Sequence, residues 1–152
     1  MSILAPRNIR VVLIDDEPAQ NLLWGSILRS AGYSVTCCLD AASGLTEVGK
    51  GCDCFITDYQ MPDTDGIEVI RRTRGRTPVC IMLTGVESAE VHRQALAAGA
   101  DYVITKPTQP GVVLAALARL CQVAFAQKRH ATERPLLRAH GGTGLWATPD
   151  LL

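Results

Sequence analysis

Five short apolar runs, spaced by segments of helical period, constrain what this chain can fold into more than anything else in it. The runs are Arg10–Ile14, Ser34–Cys38, Cys54–Thr57, Val79–Leu83 and Tyr102–Thr105. Short runs dominated by Val, Ile, Leu and Cys suit strands that are buried on both faces. The intervening segments read as helices. Pro18–Ala31 places Leu23, Ile27 and Ala31 on one face, with Pro18 suited to a first helical turn and Gly32 to a stop. Ala41–Val48, Ile67–Arg74 and Ser88–Ala98 follow, the second of these with Ile67 and Ile70 facing inward. A last helix spans about Gln109 to Gln127, with Val113, Leu117, Leu120 and Ala124 at helical spacing. Strict β/α alternation of this kind calls for an α/β fold: a doubly wound, five-stranded parallel sheet with right-handed crossovers.

Such a sheet would bring five polar residues to one place. Asp15 and Asp16 follow the first run, Asp58 the third, Thr84 the fourth and Lys106 the fifth. All would emerge at the carboxyl edge, where open α/β folds place their ligand sites. Hard oxygen ligands at this density suit Mg²⁺, or alternatively Mn²⁺, with waters completing the coordination. Without a cation, close carboxylates repel and at least one pKa should rise. Asp15 and Asp16 as mere caps of the helix beginning at Pro18 would not explain the recurrence of Asp58, Thr84 and Lys106 at the same edge.

Composition narrows the partners. With 152 residues, a single domain is the first expectation. Fifteen basic residues balance fifteen acidic ones, so no strong field points to nucleic acid or membrane. Met1–Arg7 lacks the apolar stretch of a signal peptide, and no segment approaches the roughly 20 apolar residues of a membrane span. A soluble cytoplasmic protein is expected. Cys52 and Cys54 form a C-x-C with no histidine beside it to complete a zinc site. The six cysteines therefore read as small buried hydrophobes of a reducing compartment. After Gln127 the apolar period stops, and Pro135, Gly141, Gly142, Gly144 and Pro149 punctuate the rest. Residues 1–127 read as the domain and 128–152 as a flexible or docking tail, with Leu145-Trp146 its most apolar point.

A carboxylate can also act as a nucleophile toward phosphorus, giving an aspartyl phosphate. That chemistry needs a cation and an ammonium to neutralise the phosphoryl oxygens and a hydroxyl to bind them. The acidic pair with its metal, Lys106 and Thr84 would fill those roles. Gly85 leaves the backbone beside Thr84 open to close approach, and Lys106-Pro107 is a candidate cis peptide.

With these residues in place, the chain resembles the receiver domain of two-component response regulators. The motifs are Asp15-Asp16, "TDYQMPDTDG" around Asp58, "MLTG" at 82–85 and "ITKP" at 104–107, and the likeness covers about residues 9–126. It implies a flavodoxin-like (β/α)5 fold with strand order 2-1-3-4-5. It further implies Asp58 as the phosphoacceptor, assisted by Thr84 and Lys106. Asp16, Asp58 and the Gln60 carbonyl would bind Mg²⁺ directly, and Asp15 through a water. The donor would be a sensor histidine kinase or a histidine phosphotransfer protein, since His92, His130 and His140 lie in no donor-like setting. His92 reads as solvent-facing. Output would go to a downstream protein, or to a homodimer through the fourth helix, fifth strand and fifth helix, without direct nucleic-acid binding. Such a protein assists its own phosphotransfer and dephosphorylation rather than being an enzyme. A Mg²⁺-dependent aspartyl phosphohydrolase would carry a second aspartate where Gln60 stands, and an unphosphorylated pseudo-receiver would not keep all five edge residues.

One departure stands out. Receivers usually carry an aromatic residue three positions before the lysine, and here that position is Val103. Tyr102 should face the opposite way and pack beside the last helices. Gln60 and Val86, each two residues beyond an edge residue, should flank the mouth where a hydrolytic water enters. Val86 offers that water no hydrogen bond, so self-dephosphorylation should be moderate at most.

Overall fold

The structure, a computed structural model, describes residues 8–145, with side chains through residue 128. Strands and helices alternate as β1 (Arg10–Ile14), α1 (Pro18–Ser30), β2 (Ser34–Cys38), α2 (Ala41–Gly49), β3 (Cys54–Asp58), α3 (Gly66–Thr73), β4 (Val79–Thr84), α4 (Ala89–Ala98), β5 (Tyr102–Thr105) and α5 (Pro110–Leu145). All strand pairs are parallel, and the sheet order is β2-β1-β3-β4-β5. The fold is the flavodoxin-like one that the motifs imply.

The apolar runs are buried because helices cover both faces of the sheet. Every residue of β4 is buried, as are four of the five in β1 and four of the five in β3. Strand β2 lies at an edge and buries only Cys38. Val12, Ile14, Phe55, Cys80 and Met82 form one side of the core together with Ile67 and Ile70 of α3 and Ala95 of α4. Val113, Leu117 and Cys121 of α5 are buried as well. Two aspartates register the amino ends of the strands. The Asp53 amide donates to the Arg10 carbonyl at 2.9 Å while its carboxylate accepts from the Arg10 amide at 2.9 Å. Asp101 repeats the device on Cys80, at 2.8 and 2.7 Å.

Helix α1 presents a different face from the one its leucines suggest. Asn21, Trp24, Gly25 and Leu28 are buried, whereas Leu23 is 54% exposed, Ile27 is half-buried and Ala31 lies exposed beyond the helix end. The register is fixed by a polar anchor: the Asn21 side-chain amide donates to the Asp15 carbonyl at 2.9 Å and to the Cys38 carbonyl at 2.8 Å. Gly25 completes the fit, since a Cβ there would stand 2.8 Å from the Cys37 sulfur. Two thiols also depart from expectation: Cys37 and Cys52 are only half-buried, while Cys38, Cys54, Cys80 and Cys121 are buried.

Helix α5 is longer than its apolar period. Helical backbone continues from Gln127 to Leu145, through Pro135. Residues 128–145 hold three Arg, three Leu and two Ala, which favour helix, beside Pro135 and three glycines, which do not, and no apolar period runs through them. The chain divides into two compact units, Met1–Cys121 and Gln122–Leu152, and the whole sheet belongs to the first. Trp146, part of the tail's most apolar point, lies outside the described residues. Pro110–Lys128, at a mean hydropathy of 1.4, is long and apolar enough by composition to cross a membrane, so the expectation that no segment approaches such a span does not hold.

The α1 register has a direct consequence. Trp24→Ala should cost about 3–5 kcal/mol of stability, and Leu23→Ala should stay within about 0.5 kcal/mol. Urea unfolding followed by circular dichroism measures both, and equal losses would contradict the observed face.

Candidate functional site

The carboxyl edge of the sheet gathers the five residues its sequence places there. Register explains the convergence: Ile14 pairs with Thr57, Asp58 with Leu83, and Thr84 with Thr105. Asp15 and Asp16 then leave β1 beside the end of β3. One carboxylate oxygen from each of Asp15, Asp16 and Asp58 lies within 4.8 Å of the other two. From the far side, Lys106 reaches in and pairs with Asp58, its Nζ 2.7 Å from Oδ1. The Lys106-Pro107 peptide is cis.

Each carboxylate has a different setting. Asp15 is 3% exposed, and its Oδ1 accepts the Glu17 amide at 3.0 Å. Burial pushes its carboxyl pKa above the ordinary value of 3.8, and the nearby Asp58 and Asp16 charges add to the rise. The Glu17 hydrogen bond and the Lys106 charge oppose the shift without overcoming it. Glu17 precedes Pro18 without capping the helix through its own side chain. Asp16 and Asp58 are half-buried. A cation suits this set, since three oxygen ligands converge where one carboxyl already resists ionisation.

Thr84 is fully buried, and its hydroxyl is turned into its own loop, accepting the Val86 amide at 3.0 Å. Its carbonyl accepts the Lys106 amide at 2.7 Å, which adds a backbone link to Lys106 beyond the strand pairing of Thr84 with Thr105. Gln60 is exposed and forms an isolated bridge with Asp65, and Val86 is half-buried. Asp65 caps α3, accepting the Glu68 amide at 2.9 Å. A glycine beyond the expected site residues proves important. A Cβ on Gly66 would collide with the Asp58 carbonyl oxygen, so the loop after β3 folds against the strand only with glycine there. The signal was present as the last letter of "TDYQMPDTDG", without the geometry to interpret it.

The aromatic positions behave as their alternation requires. Tyr102 is 47% exposed and lines a hollow with Val112, Ala116 and Leu120 of α5. Val103 packs against the opposite core. His92, expected to face solvent, is half-buried, and its Nε2 lies 3.2 Å from the Thr105 hydroxyl.

Comparison with known proteins decides the family. The response regulator receiver domain profile matches residues 11–118. The chain belongs to the response regulator receiver family. Among relatives, it is 34% identical over 129 residues to the transcriptional regulatory protein TrcR of Mycobacterium tuberculosis, covering 82% of this chain and 50% of that protein. The chain thus spans about half the length of that regulator. A CheY-like response regulator receiver domain protein from Methanospirillum hungatei has 27% identity and a TM-score of 0.76, over 80% of this chain and 99% of that one. The BeF3-activated receiver domain of DrrB has 26% identity and a TM-score of 0.69, over 76% and 99%. As a receiver domain, the chain is a module of two-component signalling, and its acidic cluster is compatible with Mg²⁺.

Two outcomes follow from the packing of this receiver's edge. Asp15 has a raised folded pKa, so the folded state binds its proton more readily than the unfolded state. Its contribution to stability therefore grows as pH falls from the raised value toward 3.8 and is unfavourable above that window. Asp15→Asn should raise the melting temperature in EDTA at neutral pH, and the gain should shrink as pH falls through the window. A lower melting temperature at neutral pH would contradict this. Gly66→Ala should cost about 1–3 kcal/mol and shift the Asp58 resonances in an NMR spectrum; an unperturbed Asp58 would contradict the close contact.

Proposed function

We propose that Asp58 accepts a phosphoryl group from a phosphohistidine donor in a divalent-cation-dependent reaction, and that the domain signals through phosphorylation-dependent protein contacts. The observation that carries this reading is the 2.7 Å pairing of Lys106 with Asp58 inside a cluster of three carboxylates. A lone salt bridge would need no further acids beside it. A nucleophilic carboxylate needs charge neutralisation from more than one side.

In this reading Asp58 attacks phosphorus, a P–O bond forms, and the P–N bond to the donor imidazole breaks. Asp16, Asp58 and the Gln60 carbonyl would hold Mg²⁺, and Asp15 would act through a water. The bound ion would supply Lewis-acid neutralisation of the phosphoryl oxygens. Lys106 stays beside Asp58 and binds a phosphoryl oxygen, and Thr84 gives up the Val86 amide to donate its hydroxyl to another. Asp58 is a stoichiometric acceptor rather than a turnover catalyst, and the surrounding residues assist both its phosphorylation and its loss of phosphate. Gln60 and Val86 flank the mouth and set the rate of that loss. The donor is a sensor histidine kinase or a histidine phosphotransfer protein in the cytoplasm, and the receiver of the signal is a protein.

Incubation with Mg²⁺ and acetyl phosphate tests the reading. An acid-stable, base-labile gain of one phosphoryl mass is expected, dependent on Mg²⁺ and absent from Asp58→Asn. No adduct on the wild-type protein would refute phosphoacceptance, and rapid multiple turnover of a small phosphoester would point to a hydrolase instead.

A further inference from the structure

Receivers that use an aromatic side chain to carry the state of the crevice outward have no counterpart to it here, since Val103 occupies the position and Tyr102 faces α5. A polar connection lies beside that gap. The Thr105 hydroxyl and His92 Nε2 share a hydrogen bond of 3.2 Å between β5 and α4. Both residues are half-buried, and they line an open hollow with Glu87 and Arg93.

This bond closes a circuit that begins and ends at Thr84. The Val86 amide donates to the Thr84 hydroxyl at 3.0 Å. The Ser88 amide donates to the Val86 carbonyl, and the His92 amide to the Ser88 carbonyl, each at 3.1 Å. The His92 ring meets Thr105, whose neighbour Lys106 donates its amide to the Thr84 carbonyl at 2.7 Å. Two members of the circuit, Thr84 and Lys106, stand at the carboxyl edge beside the acidic cluster. The Lys106 ammonium, on the residue next to Thr105, is paired with Asp58.

We propose that the His92–Thr105 pair is the output latch of this domain: it holds α4 against β5 in the resting state and releases when Thr84 and Lys106 engage a phosphoryl group. His92 is thus a positioning residue, acting through Thr105 on Lys106. The proposal rests on Asp58 being the phosphoacceptor. Recruiting the Thr84 hydroxyl frees the Val86 amide, and the loop leading to Ser88 loses its anchor to the crevice. A ring of hydrogen bonds opened at one point no longer fixes the rest, so α4 moves to a second arrangement. Reciprocity follows: a latch that stabilises the resting state also opposes phosphorylation, and removing it enlarges the competent population.

The test uses the full chain with Mg²⁺ and acetyl phosphate, read by intact mass and by amide hydrogen exchange over 89–98. In the wild-type protein, phosphorylation should accelerate exchange in that segment. His92→Leu and Thr105→Val should each exchange fast without phosphorylation and respond little to it. Each should also be phosphorylated roughly two- to tenfold faster, as expected for loss of one hydrogen bond from the resting state. The double variant should match the single ones, and His92→Gln, which can still reach Thr105, should restore wild-type behaviour. A gain in phosphorylation rate is a result that mere destabilisation would not produce. Wild-type rates together with a wild-type response of 89–98 in both single variants would overturn the latch while leaving phosphoacceptance intact. Failure of the wild-type protein to gain phosphoryl mass would overturn both.

Discussion

Crowding of negative charge at the carboxyl edge of a buried sheet is the constraint on which the rest of this molecule depends. Three carboxylates share a few ångströms, and one of them, Asp15, is almost fully removed from water. Left to themselves such groups would separate, and the fold prevents it. Strand register fixes Asp58 beside the end of β1, the Asn21 amide ties the Asp15 carbonyl to the end of β2, and the Glu17 amide holds the Asp15 carboxylate. The apolar core therefore supports an arrangement that is locally unfavourable. Strain of this kind, maintained by packing elsewhere, is what makes a site responsive to a cation or a phosphoryl group.

Lys106 links that crowding to the exterior. Its ammonium offsets part of the negative charge through Asp58, while its backbone joins Thr84 and, through Thr105, helix α4. Charge added at Asp58 would thus act on side chains that are also structural members of the opposite face. A bulky aromatic relay is one way to couple two such places, by occupying or vacating a cavity. A ring of hydrogen bonds is another, and it needs only that one donor or acceptor be recruited elsewhere. The first depends on volume and the second on satisfaction of polar groups, so mutations should affect them differently.

Much of this was legible in the sequence for a simple reason. A parallel sheet buried on both faces leaves nearly continuous apolar runs, and its loops leave functional residues at the ends of those runs. Asp15, Asp16, Asp58, Thr84 and Lys106 could be placed together from that pattern. The face of α1 could not, because Leu23 and Ile27 satisfy a helical period while the register is set by Asn21, a polar residue whose partners are backbone carbonyls. The half-buried setting of His92 is hidden for a similar reason: its partner Thr105 is a strand residue whose hydroxyl has no apolar signature. Gly66 was visible but mute, since only the folded loop shows the carbonyl oxygen that a Cβ would strike. The helical backbone past Gln127 has no apolar period to announce it. What escaped the sequence is largely what backbone groups do.

The central claim is that the three carboxylates form one cation site kept together by the fold. The thermal unfolding midpoint measured with and without millimolar Mg²⁺ tests it directly, because a ligand that binds only the folded state raises that midpoint. The midpoint should rise with Mg²⁺ concentration in the wild-type protein and show little or no rise in Asp16→Asn. An equal rise in both proteins, or none in the wild type, would contradict the claim.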